Sequence, residues 1–128
     1  MSAPLQVAAV VFVDEVPRMT AFYQALAAMA VVQSDSQHTI LEIPGFQLTI
    51  HALGSAGHAR AAAYPVRGDS FVKICLPVGS IAAARNSAAA HGGEVWDPAK
   101  EWDSVERGFR ACDGHDPEGN VFQVRQAL

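Results

Sequence analysis

Arg107–Arg125 reads RGFRACDGHDPEGNVFQVR. At its centre Asp116-Pro117-Glu118-Gly119 is a turn signal: Asp suits the first position, Pro presets φ at the second and Gly closes the fourth. In the residues that follow, Phe122 and Val124 alternate against Gln123 and Arg125, the period-2 pattern of a strand with one apolar and one polar face. Phe109–Cys112, ahead of the turn, is a second short strand candidate. The stretch therefore predicts a hairpin with a wide polar connection.

Outward from the hairpin, one pattern occurs twice. Leu5–Val13 is an apolar strand ended by Asp14-Glu15-Val16-Pro17, where acidic residues and a first-turn proline start a helix. Met19, Phe22, Tyr23, Leu26 and Met29 recur at three and four residues and give that helix one apolar stripe. Val31–Gln33 is a short strand, Ser34–Gln37 a turn, His38–Ile43 a third strand, Pro44-Gly45 a tight turn and Phe46–Leu53 a fourth strand. Gly54–Asp69, rich in Gly, Ala and Ser and carrying His58, Arg60 and Arg67 without periodicity, is a linker. The pattern restarts with strand Phe71–Leu76 and a break at Pro77–Ser80, with Ser80 as N-cap. An alanine-rich helix, Ile81–His91, is stopped by Gly92-Gly93. Then come a short strand Glu94–Trp96, a loop Asp97–Glu106 and the hairpin. Val13 matches Leu76 at an offset of 63 and Gly45 matches Gly119 at 74, so the second copy is about 11 residues longer. The excess falls around Trp96–Glu106, which holds both tryptophans.

A length of 128 residues suits one domain, residues 1–128, built of two small modules at about 4–53 and 70–127. Half the residues are hydrophobic and 17% are charged, enough for a packed interior. The net charge of −4, with nine scattered Lys and Arg, argues against a nucleic-acid surface. Leu5–Val13 lacks the basic flank of a signal peptide. No uncharged run approaches the roughly 20 residues a bilayer span needs. Cys75 and Cys112, far apart in strand-like settings, read as reduced, buried thiols of a cytoplasmic protein.

Three segments carry a family resemblance: the DPEGN turn with its strand, the opening VFVDEVPRMTAFYQAL, and AHGGEVWDP at the second helix end. Together they resemble the vicinal oxygen chelate superfamily, which includes glyoxalases, bleomycin-resistance proteins and extradiol dioxygenases. The resemblance implies an α+β fold in which two tandem βαβββ modules form curled mixed sheets around a shared cleft. It also implies a homodimer, because the family commonly covers its open strand edges by pairing two chains.

The helix-facing residues form an apolar set: Val7, Ala9, Val11 and Val13; Phe46, Leu48 and Ile50; Val72, Ile74 and Leu76; Phe122 and Val124. The pleat then puts Ala8, Val10 and Phe12, Gln47, Thr49 and His51, Phe71, Lys73 and Cys75, and Val121, Gln123 and Arg125 toward the cleft. That set contains two cations and no acid. The family's metalloenzymes take His, Glu and Gln ligands from the first and fourth strand of each module. Alignment on Phe22-Tyr23, Gly45 and Gly119 puts Ala8, Thr49, Phe71 and Gln123 there, a set with no imidazole, carboxylate or thiolate.

The expected function is therefore metal-free binding of a small molecule, with an anionic or aromatic ligand and no cofactor. The expected site comprises Phe12, His51, Phe71, Lys73, Gln123, Arg125, Trp96 and Trp102. No catalytic residue is expected. His51 with Gln123, perhaps joined by Cys75, is the alternative: displaced ligands of a metal-dependent lyase, isomerase or dioxygenase, or acid–base chemistry by His51. A cleft serving as an assembly surface is a third reading. Trp96 and Trp102 either roof the cavity or pack their loop against its rim. His38, His58, His91 and His115, in or beside loops, read as solvated. Cys112 beside Asp113 does not read as an activated thiol, since an acidic neighbour raises a thiol pKa.

Overall fold

In a computed structural model, which describes residues 4–53 and 64–128, the DPEG turn forms as its sequence requires. Gly119 has φ 86° and donates its N–H to the Asp116 carbonyl at 2.9 Å. The Asp116 side chain closes the turn by accepting the N–H groups of Glu118 at 3.0 Å and Asn120 at 2.9 Å.

Among the described residues the order is β1 (Val7–Val13), α1 (Val16–Ala27), β2 (Ala30–Ser34), β3 (His38–Ile43) and β4 (Phe46–Ala52) in the first module. The second has β5 (Ile74–Pro77), α2 (Ile81–Ala90), β6 (Glu94–Val95), a 3-10 turn (Pro98–Lys100), β7 (Trp102–Ser104), β8 (Phe109–His115) and β9 (Val121–Ala127). Each module makes one mixed sheet. The first runs β1-β4-β3-β2 and the second β5-β9-β8-β6, with β7 also on β8. In each, the first strand lies parallel to the last and the other pairs are antiparallel. This is the expected α+β fold of two βαβββ units.

The helices cover one face of the sheets and pack on each other. Met19, Phe22, Tyr23 and Leu26 of α1 are buried with Leu48, Ile50, Leu76, Phe122 and Val124 in one core. Ser80 caps α2 as expected, its hydroxyl accepting the Ala83 N–H at 3.1 Å. Four expectations need correcting. β5 starts at Ile74, leaving Phe71 and Val72 exposed. The reason is its parallel partner: Ile74 already pairs with Phe122, so by the same register Phe71 and Val72 fall opposite Gly119 and Asn120 of the turn rather than a strand. Val7 is also exposed, although it belongs to the expected helix-facing set. The 97–106 segment is no simple loop, because Trp102–Ser104 adds a strand to β8. β8 itself runs on to His115, beyond Cys112.

The turn does a second job. The buried Glu118 carboxylate accepts the N–H groups of Asp14 (2.8 Å) and Glu15 (2.9 Å) at the start of α1, about a hundred residues away. It thereby satisfies donors that a helix N-terminus cannot satisfy internally. Beside it, Tyr23 donates its hydroxyl to Asp116 at 2.6 Å. From the linker, Tyr64 donates to Asp14 at 2.7 Å and Arg67 N–H to the Gly119 carbonyl at 2.8 Å. The central linker, with His58 and Arg60, lies outside the described residues.

Candidate functional site

The face of each sheet turned away from the helices is open. On the second sheet a chain of polar contacts crosses three strands. Lys73 Nζ, just ahead of β5, binds Asp113 Oδ2 at 2.6 Å on β8. The other oxygen of Asp113 accepts Gln123 Nε2 at 3.1 Å on β9, and Gln123 Oε1 accepts Arg125 Nε at 2.7 Å. Arg125 then lays its guanidinium over the Phe109 ring, 4.3 Å from the centroid. Arg107 approaches the same ring at 4.8 Å, and Trp102 meets it edge-on at 5.9 Å. Neither arginine forms an ion pair among the described residues, whose acids engage Arg18, His38, Lys73, Arg85 and Arg110. Arg125 is thus held on its edge and one face, with its terminal N–H groups left to donate.

Asp113 overturns one expectation: this face does carry an acid, and that acid neutralises Lys73. The sequence marks this strand only as far as Cys112, and the alternation that exposes Asp113 depends on β8 running on to His115. Glu42 is a second acid, opposite Gln47 in register and 2.7 Å from its amide nitrogen.

On the first sheet Phe12, His51 and His38 stand in one cross-strand row. Phe12 and His51 rings lie 5.5 Å apart; those of His51 and His38 are stacked at 5.9 Å, 10° from parallel. His51 Nδ1 donates to the Ala52 carbonyl at 2.7 Å, and His38 Nδ1 lies 3.2 Å from Asp35 Oδ2. Asp35 is held ionised below the usual carboxylate range, first by the Gln37 N–H. His38, the first residue of β3 as expected, is therefore bonded on the open face rather than solvated beside a loop.

The remaining expected residues scatter. Phe71 is fully exposed and touches none of the others through any bond or ring contact among the described residues. Trp96 packs against the core and donates Nε1 to His115 Nδ1 at 3.1 Å, so His115 is bonded rather than solvated. Trp102 lies at the Arg125 end. His91 stays at the exposed end of α2, bonded to the Ser87 carbonyl.

The cysteines are both free, but Cys75 is exposed where burial was expected. Cys112 is buried, and burial pushes its thiol pKa up despite the Arg85 guanidinium at 3.8 Å. One thiol per chain, Cys75, is expected to react with a disulfide reagent under native conditions, and Cys112 only after unfolding. Two fast thiols in the native protein, or none, would contradict this arrangement.

The residues at the family's ligand points do not fit a metal. Leu48 pairs with Ala9 and Phe122 with Ile74, so if Leu48 and Phe122 are equivalent, the counterpart of Ala8 is Lys73 rather than Phe71. An ammonium bound to Asp113 has no lone pair to give. Gln123 has spent its oxygen on Arg125, and Ala8 has no donor. No group of three or more His, Cys, Asp or Glu able to hold a metal ion occurs among the described residues.

A glyoxalase-like domain model matches residues 8–125, nearly the whole chain. The chain belongs to the glyoxalase-like domain family. With that family it joins the vicinal oxygen chelate superfamily. No curated protein matches it significantly. Solved structures with the glyoxalase-like fold include a glyoxalase/bleomycin resistance protein from Albidiferax ferrireducens, 16% identical with TM-score 0.69, covering 95% of this chain and 98% of that one. Another is a glyoxalase/bleomycin resistance protein/dioxygenase family enzyme from Burkholderia phytofirmans, 16% identical, TM-score 0.66, covering 94% and 97%. A fosfomycin resistance protein from Listeria monocytogenes is 16% identical with TM-score 0.64, covering 100% and 95%. At such identities they share the fold with this glyoxalase-like chain. No helix among its described residues is long and apolar enough to cross a membrane.

Proposed function

We propose that this glyoxalase-like protein is a cytoplasmic small-molecule binder that works without a metal at the family's four ligand points and holds an anionic, partly aromatic ligand on its open faces. The observation that carries this is the Lys73–Asp113–Gln123–Arg125 chain, which presents an oriented guanidinium beside Phe109 and Trp102. A guanidinium fork already fixed in place loses little entropy on binding a carboxylate or phosphate. Sequestration or delivery needs nothing more. The Listeria protein has a structure, in variant form, with Mn(II) and a dihydroxypropylphosphonic acid, so one similar fold holds an anionic small molecule; here Arg125 takes the anion's charge.

A thermal-shift screen of aromatic carboxylates, acyl phosphates and cationic glycopeptides tests this. Anions should raise Tm by several degrees in the wild type and not in Arg125→Met, while cationic compounds do nothing. Stabilisation by cationic compounds alone, or an anion response kept by Arg125→Met, would exclude the reading. We further expect a homodimer, because the outer strands β2 and β6 leave sheet edges that need covering. Sedimentation showing a stable monomer at micromolar concentration would disprove it.

A second reading rests on the His38–His51 pair. With both Nδ1 atoms engaged, each ring leaves Nε2, the atom a displaced metal of a lyase, isomerase or dioxygenase would need. Elemental analysis decides between the two. Stoichiometric metal lost in His51→Ala supports the enzyme; far less than one metal per chain, with Tm indifferent to chelator, supports the binder.

A further inference from the structure

The two modules leave a seam. Among the described residues β1 pairs only with β4 and β5 only with β9, so each presents an edge with no described partner. A cavity of about 280 Å³ opens there, walled by Val10 and Phe12 of β1, Val72 and Ile74 at the start of the second module, and Phe122 of β9. Val10, Phe12 and Val72 are 51%, 59% and 75% exposed, an apolar rim left in water.

Among the described residues one charged residue lines it: Arg67. Its N–H is fixed to the Gly119 carbonyl, which places the residue at the lip, and its guanidinium has no ion pair among the described residues. The nearby carboxylate of Asp116 does not compete for it. That group is fully buried beneath the wall and already accepts from Tyr23, from the Glu118 and Asn120 N–H groups and from the Asn120 amide. The cavity therefore offers an apolar wall, the polar side chains of Ser70 and Asn120, one cation and, among the described residues, no unsatisfied anion.

We propose that the seam cavity binds a small apolar monoanion, a medium-chain or aromatic carboxylate, with its hydrocarbon between β1 and β5 and its carboxylate on Arg67. The volume lies at the small end for ligand sites. The site is separate from Arg125 and does not rest on the reading above. Val121, which lines the cavity, and Arg125 lie four residues apart on one strand, about 13 Å between backbone positions at 3.3 Å per residue.

The test is calorimetric titration of the full-length protein with butyrate, octanoate, decanoate, benzoate, octanamide and octylamine. Octanoate or benzoate should bind saturably, about tenfold or more tighter than octanamide, and octylamine should not bind. Arg67→Gln should cut octanoate affinity about tenfold, Arg67→Lys should restore part of it, and Val10→Trp should abolish it by filling the space. Arg125→Met should leave it unchanged. Val10 faces the open side, so Val10→Trp should fold, and the unliganded melting temperature checks this. No saturable carboxylate binding, equal affinity for octanoate and octanamide, or loss in Arg125→Met but not in Arg67→Gln would overturn the proposal. The last outcome would leave the Arg125 site standing.

Discussion

Replacing Asp116 by alanine is expected to cost about 3–5 kcal/mol of folding stability, a large part of the roughly 5–15 kcal/mol a domain possesses. The carboxylate is fully buried and accepts from four donor groups: the Tyr23 hydroxyl, the N–H of Glu118, the N–H of Asn120 and the Asn120 amide. Its removal strands these donors, at about 1–3 kcal/mol for each that finds no water. It also loosens the turn that carries Glu118 to the start of α1, so the modules lose their clasp as well. Urea unfolding measures the loss. Tyr23→Phe removes only one donor and should cost about 1 kcal/mol. A cost for Asp116→Ala no greater than that of Tyr23→Phe would show that the turn is not a clasp.

The same group gives a signed pH dependence. Burial pushes the Asp116 pKa up, and the donated hydrogen bonds only partly oppose it. Between its unfolded pKa, about 4, and the higher folded value, the folded state binds more protons than the unfolded one. Its contribution to stability is therefore complete below that window and shrinks as pH rises through it. The advantage of wild type over Asp116→Asn should narrow as pH climbs from about 4. A widening gap would mean that the donors, not burial, govern this carboxyl.

The fold was legible because turn chemistry and hydrophobic period report on local backbone, and here they agreed. DPEG fixed one hairpin, Gly92-Gly93 a helix end, and the alternation of Phe46, Leu48 and Ile50 a strand face. Errors arose where a non-local partner decides. Whether residues 71–73 are strand depends on how far β9 extends toward them, and nothing in their own letters says so. Trp102–Ser104 forms a strand because β8 offers an edge. Arg85 helps hold the segment, binding the Trp96 carbonyl at 2.9 Å and Glu101 at 2.6 Å. The site was half legible for the same reason. Gln123 and Arg125 came from a clean alternation, but Asp113 was hidden in a stretch read as connection. His38 was hidden because its partner His51 is thirteen residues away. The charge balance of a face is set by cross-strand register, and one misread strand end changed it from cationic to partly neutralised.

Gly114 joins fold and site, and Gly114→Ala is expected to cost about 3 kcal/mol or more. A Cβ built there would lie 2.2 Å from the Glu94 carbonyl oxygen, 2.8 Å from the Phe122 ring and 3.0 Å from Val95 Cα. Two of these contacts are backbone of the paired strand β6, so no rotamer change relieves them, and overpacking on such terms exceeds the usual range of about 1–3 kcal/mol. The strain must move β6 away from β8. Gly114 stands between Asp113, which anchors Lys73 and Gln123, and His115, which holds Trp96; the Trp96 N–H also binds the Asp113 carbonyl at 2.9 Å. Parting the strands should thus change the near-ultraviolet signal of Trp96 and weaken the anion response of Arg125 together. Gly108→Ala is the control: its φ is +78° but its Cβ would meet open space, so it should cost only about 1 kcal/mol of backbone strain and leave Trp96 unchanged. If Gly114→Ala is no worse than Gly108→Ala, or unfolds the chain less easily than the wild type, then β6 does not sit against β8 as described. In that case the support assigned to Asp113 falls with it.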